Sequence, residues 1–168
     1  LTPSSEPRAV PLVAILQATE REGIEREIKE FIANGYEIIK VKVGFEVDRD
    51  IEKVRAAQQV LQGKVKIRVD ANQGYTLPQA RKFVENIDPQ RIEFFEQPFQ
   101  ENEWEAMAEL SKVSPVPLGL DESIYGMESV IKARQLGCAQ FVKFKLMKMG
   151  SAEALVKHIE ESRKYGFE

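Results

Sequence analysis

The chain has 168 residues, 43% hydrophobic and 30% charged, enough for one sizeable core and typical of a globular domain. A net charge of -3 and a pI near 5.5, with basic residues scattered beside acidic ones, give no broad cationic field, so neither nucleic acid nor a membrane surface is an expected partner. The single cysteine, Cys138, excludes an internal disulfide and a cysteine-only metal cluster; no apolar run approaches the ~18 residues of a membrane span, and residues 1–20 lack a basic region before an apolar core, so a cytoplasmic setting is expected.

Six units of strand followed by amphipathic helix are predicted. Residues 9–16 form the first apolar run, and Ile24, Ile28, Phe31 and Ile32 follow at helical spacing until Gly35 offers a stop. Residues 38–43 are the second strand, and the stretch from Asp48 through Ile51, Val54, Gln58 and Leu61 to Gly63 reads as its helix. Residues 65–70 are the third. Thr76 with Gln79 three residues on makes a capping box, and Ala80, Phe83, Val84 and Ile87 form the apolar face of the helix behind it. Residues 92–96, 118–121 and 141–145 supply the remaining strands, with helices near 103–112, 127–136 and 151–164. No linker or low-complexity stretch divides the series, so residues 1–168 are expected to be one α/β domain.

Lys42, Asp70, Glu96, Asp121 and Lys145 stand at or just past the ends of five of these strands, 28, 26, 25 and 24 positions apart. A βα repeat of this period is the unit of a parallel (β/α) barrel of the TIM type, whose active site gathers at the carboxyl ends of the strands. Eight units in roughly 250 residues close such a barrel, so the expectation is an incomplete one of about six units, lacking the last strands and inactive as an isolated fragment. An open doubly wound sheet is the alternative, but its Gly-rich phosphate loop is missing.

Residues two apart on a strand share a face. That rule puts Lys40 with Lys42, Arg68 with Asp70 and Asn72, Phe94 with Glu96, Gly119 with Asp121, and Lys143 with Lys145, while Val41, Val69, Phe95, Leu120 and Phe144 face the helices. Buried charges are costly unless paired or bound to metal. A salt-bridge network is the structural explanation. The chemical one is a site in which Asp70, Glu96 and Asp121 offer hard oxygen ligands to Mg2+ or Mn2+, while Zn2+ would want His or Cys. Lys42 and Lys145 would then flank the metal and address two faces of one substrate carbon, with Lys40 and Lys143 as cationic neighbours that favour loss of a proton.

The motifs I-K-V-K-V-G, V-D-A-N-Q-G-Y, E-Q-P, L-D-E-S and K-L-M-K-M-G-S occur in order at barrel spacing. Together they resemble the barrel-strand motifs of the enolase superfamily, muconate-lactonizing-enzyme subgroup. The resemblance implies that Asp70, Glu96 and Asp121 ligate magnesium, that Lys42 and Lys145 are an acid/base pair, and that Lys40 is their electrostatic neighbour. It also implies that a capping domain is absent from these residues. Lys143 departs from the pattern, which usually has Asn there; Ser151 stands where relatives often have a second Gly. Asn72 is a candidate support for Asp70, and Glu122 is expected to point to the other face or into the loop. His158 is expected to be exposed, Cys138 to be a buried small hydrophobe, and Trp104 and Met107 to lie on an apolar helix face.

The function expected from these residues is metal-dependent abstraction of the α-proton of a small carboxylate through an enediolate. K-L-M-K resembles dipeptide epimerases and so favours racemisation or epimerisation of a dipeptide or N-acyl amino acid. An o-succinylbenzoate synthase-type dehydratase and a muconate cycloisomerase are alternatives within the family. Outside it stand a non-catalytic barrel fragment serving folding or assembly and a Schiff-base enzyme using either lysine. The expected partner is the small carboxylate substrate, and a homo-oligomer is compatible with the sequence.

Overall fold

Short runs rich in Val, Ile and Phe pair into one parallel sheet in the computed structural model, which describes residues 11–61 and 65–167. In chain order the elements are β1 (Val13–Leu16), α1 (Arg21–Ala33), β2 (Ile38–Lys42), α2 (Val47–Val60), β3 (Lys66–Asp70), α3 (Leu77–Asn86) and β4 (Ile92–Glu96). They continue with α4 (Trp104–Ser111), β5 (Leu118–Leu120), α5 (Met127–Leu136), β6 (Phe141–Val142), α6 (Leu146–Met149) and α7 (Ala152–Lys164).

The sheet order is β1-β2-β3-β4-β5-β6, so every strand lies beside the next in sequence and no reversal of order creates a switch point. That excludes the doubly wound alternative and matches six consecutive βα units of a barrel. Successive helices pack on one another from α1 to α5 and then α7, which sets them on one side of the sheet. The core lies between these layers. Val41, Val69, Phe95 and Leu120 point into it from alternate strand positions and are essentially inaccessible, as are Ile28, Val54, Phe83, Met107 and Val130 from the helices. Phe83, Phe95 and Tyr75 form its aromatic centre, with Phe83 and Phe95 centroids 5.0 Å apart.

The six predicted units are all present. The capping box at α3 forms, Gln79 Oε1 accepting from the Thr76 backbone N–H at 2.9 Å and from its hydroxyl at 2.8 Å. Residues 9, 10, 62 and 63, assigned to the first strand and to the end of the second helix, lie outside the described residues. Strand ends fall inside the expected ranges: β1 starts only at Val13, β2 and β3 each lose one residue, and β5 and β6 stop early. Asp121 lies one residue past β5, and β6 ends at Val142, although Lys143 N–H still donates to Leu120 O at 2.8 Å. Lys145 is thus a loop residue rather than a strand residue. Its carbonyl accepts from the Lys148 and Met149 N–H groups at 2.9 and 3.3 Å and starts the one-turn α6, an unforeseen element. Asn72 is likewise a turn residue, with φ +41°, although its side chain still joins the Asp70 cluster.

Candidate active site

Parallel register brings the strand-end charges side by side. Lys42 pairs laterally with Asp70, and Asp70 with Glu96, so these side chains emerge in one row at the carboxyl end of the sheet. Asp121 and then Lys143 and Lys145 extend the row across the shorter strands. Asp70 is fully buried, and Glu96 and Asp121 retain only 2% exposure.

Each carboxylate is held between ammonium groups. Asp70 Oδ2 lies 2.6 Å from Lys42 Nζ and 2.7 Å from Lys40 Nζ. Lys40 also reaches Glu96 Oε2 at 3.0 Å, and Lys143 joins Glu96 Oε1 at 2.9 Å to Asp121 Oδ2 at 3.1 Å. Lys145 Nζ closes the row 2.8 Å from Asp121 Oδ1. At the opposite end Lys42 also donates to Asn72 Oδ1, while Asn72 N–H donates to Asp70 Oδ1 at 2.9 Å and Asn72 Nδ2 to Glu122 Oε1 at 3.1 Å. Glu122 therefore turns back toward the row through Asn72.

The site's electrostatics are uneven. Burial pushes the Asp70 carboxyl up, but hydrogen bonds from Lys40, Lys42 and the Asn72 N–H outweigh it and hold the group below its ordinary range. Asp121 is also held low, burial being overcome by the Lys145 ammonium, by Glu96 and by Lys143. Glu96 goes the other way: burial and the neighbouring Asp70 charge raise it, and Lys143 and Lys40 offset this only in part. The protonated form of Lys143 is favoured because its contacts with Glu96 and Asp121 outweigh the cost of its own burial.

The loops beyond the strands are tied together by residues the sequence pattern did not single out. Gln97, with φ +38° and no exposure, spends both amide hydrogens on Phe99 O and Ser123 Oγ, at 3.0 and 2.8 Å. Its Oε1 accepts from the Asp121 and Ser123 N–H groups at 3.0 and 3.2 Å, fixing the backbone of Asp121 against the end of β4. Asp50 is buried and accepts from the Gly44 and Phe45 N–H groups at 3.0 Å each and from Tyr75 Oη at 2.7 Å. Gly44 and Gly74 let the two loops after β2 and β3 touch backbone to backbone; a Cβ at Gly44 would sit 2.2 Å from Ala71 O, and one at Gly74 2.1 Å from Gly44 O. Lys148 donates to Glu122 O at 2.7 Å and lies over the Tyr125 ring, anchoring α6 to the loop after β5. The signal for Gln97 and the glycines lay in the quoted motifs, but spacing alone gave them no task.

His158 is a correction. It is half-buried, with its ring beside Phe144 and Nδ1 against Ala154 O, rather than exposed. Cys138, Trp104 and Met107 are buried as expected. Among the described residues no helix is long and apolar enough to cross a membrane.

The donor chemistry fits a hard divalent cation: three carboxylates from consecutive strand ends, with no His or Cys among them. A buried carboxylate oxygen is also left over. Asp121 Oδ1 is inaccessible and close to Lys145, yet the contact is too poorly aligned to count as a hydrogen bond. The three acids do not close on one point, because lysine ammonium groups stand between them; among the described residues no cluster of three His, Cys, Asp or Glu is preassembled for metal.

A family described as enolase C-terminal domain-like matches residues 23–168. The chain belongs to that family. Within the enolase superfamily its likenesses lie in the mandelate racemase/muconate lactonizing enzyme subgroup. It is 34% identical over 140 residues to L-Ala-D/L-Glu epimerase of Thermotoga maritima, covering 82% of this chain and 40% of that protein. It is 29% identical over 163 residues to N-succinyl-L-Arg/Lys racemase of Bacillus cereus, covering 94% and 43%. The crystal structure of muconate cycloisomerase from Pseudomonas fluorescens superposes with a TM-score of 0.85 at 27% identity, over 94% of this chain and 44% of that one. The chain thus spans less than half the length of the relatives it matches.

Proposed function

We propose that the intact protein is a metal-dependent racemase or epimerase that inverts the α-carbon of a dipeptide or an N-acyl amino acid. The observation that carries this reading is the order of the row: Lys42 beside Asp70 at one flank, Glu96 in the middle, and Lys145 beside Asp121 at the other. The relatives named as an L-Ala-D/L-Glu epimerase and an N-succinyl-L-Arg/Lys racemase support it.

Asp70, Glu96 and Asp121 would hold Mg2+ or Mn2+, which when bound supplies positive charge where the substrate carboxylate gains negative charge as the α-proton leaves. The lysines do the proton work. One enters as the free amine and takes the α-proton from its own face of the carbon; the other, as the ammonium, returns a proton from the opposite face. Their roles exchange for the opposite enantiomer. Asn72 orients Lys42 through the bond to its Nζ, and Lys148 fixes the turn that follows Lys145. Lys40 stays between Asp70 and Glu96, where its charge balances the acids.

A muconate cycloisomerase-like reaction is the second reading, favoured by the structural likeness to that enzyme. The two separate in one experiment. L-Ala-L-Glu, other dipeptides and N-succinyl amino acids are incubated with the protein and MgCl2 in D2O, with proton NMR and polarimetry as readouts. Epimerisation predicts loss of the α-proton signal together with inversion and an unchanged carbon skeleton. Ring formation or opening of a muconate-type substrate, without exchange in any amino-acid derivative, would replace this reading by the second.

A further inference from the structure

Two lysines bridge neighbouring carboxylates in the same way, but they are not equally free to leave. Lys40 spans Asp70 and Glu96 at 2.7 and 3.0 Å, and its side chain retains only 12% exposure, locked beneath the row on β2. Lys143 spans Glu96 and Asp121 at 2.9 and 3.1 Å, but its side chain is 46% exposed and its Cα lies just past the two-residue β6. The Lys143 side chain is thus far less enclosed than that of Lys40. We infer that Lys143 is a displaceable internal counter-cation that holds the place of a divalent metal ion between Glu96 and Asp121 and must swing out for that ion to bind. This rests on the metal-site reading above.

The physical case is one of competition for the same oxygens. A Mg2+ ion sits about 2.1 Å from a ligand oxygen. Lys143 Nζ is 2.9 Å from Glu96 Oε1, so metal and ammonium on that oxygen would stand at most about 5 Å apart and repel strongly beside buried acids. In the absence of metal the ammonium relieves the repulsion among Glu96, Asp121 and Asp70 that burial would otherwise make severe. A monovalent cation offers no more charge than the ammonium it would replace, so the exchange also selects for divalent ions.

The test is calorimetric titration of the intact protein and its Lys143→Gln variant with MgCl2 and with MnCl2, alongside thermal unfolding with and without each metal. The expected result is about tenfold tighter metal binding by Lys143→Gln, as for the loss of a competitor held by two partly exposed ion pairs. The variant should also melt lower without metal and gain more from metal than the wild type. Lys112→Gln, at an exposed pair with Glu109 away from the site, should change neither quantity. Wild-type binding with unchanged or weaker affinity in Lys143→Gln would overturn the inference and leave the metal site standing; no divalent binding by either protein would overturn both. If the variant does not fold, the wild type alone decides the matter. Amine-reactive labelling of Lys143, mapped by mass spectrometry, should rise on adding Mg2+, and labelling that stays level or falls would overturn the inference.

Discussion

Asp70 and Glu96 end adjacent paired strands, yet their environments push them in opposite directions. Asp70 receives two ammonium groups and a backbone N–H, whereas Glu96 is deeply buried and faces the Asp70 charge. If both serve a metal together with Asp121, calorimetry on Asp70→Asn, Glu96→Gln and Asp121→Asn should show metal affinity lost in each. Unchanged affinity in any one would remove that residue from the site. Cys138 gives a prediction with a defined pH sign: burial lifts its thiol to about 11, so the folded state holds the proton more tightly than the unfolded chain. Its contribution to stability is intact below the ordinary thiol value of 9.0 and is lost as pH rises through about 11. Iodoacetamide at pH 8 should therefore modify Cys138 slowly until denaturant is added, and rapid modification of the native protein would contradict the burial. At this scale the charged row was legible because each member stands at or just past the end of an apolar run and alternation assigns its face. Gln97 was not, since its task depends on a left-handed backbone and three tertiary bonds, to Ser123 Oγ and from the Asp121 and Ser123 N–H groups, that no local pattern encodes.

Between elements, the loops after β2 and β3 meet through Gly44, Gly74, Asp50 and Tyr75. The close approach leaves no room for a side chain, and Gly44 has φ +93°. Gly44→Ala should cost about 3 kcal/mol, combining an unfavourable backbone with overpacking against Ala71 O. Tyr75→Phe removes the hydroxyl that caps Asp50 and should cost about 1 to 2 kcal/mol. Urea unfolding measures both, and wild-type midpoints would show that this junction does not hold the loops. The helices were readable from their 3.6-residue periodicity and, at α3, from the Thr76–Gln79 box. The ends of β5 and β6 were not. Alternation ran on through Asp121 and Lys145, but lateral pairing stops earlier, and the one-turn α6 depends on the Lys145 carbonyl rather than on any apolar face.

Across the described residues the chain forms six βα units whose strands follow chain order, with helices to one side and a charged row across the carboxyl ends. That architecture follows from the repeat period, because a strand, a helix and two short connections take about 25 residues and one hand of crossover lays each strand beside the last. The central claim is that Lys42 and Lys145 serve opposite faces of one carbon. It is tested most directly by following α-proton exchange in D2O for each enantiomer of an accepted substrate with Lys42→Ala and Lys145→Ala in the intact protein. A base exchanges a proton on its own face without help from the other side, whereas inversion needs both groups in reach. The account predicts that each variant loses exchange from one enantiomer, that the two patterns mirror each other, and that neither variant epimerises. Full epimerisation by either single variant would contradict it.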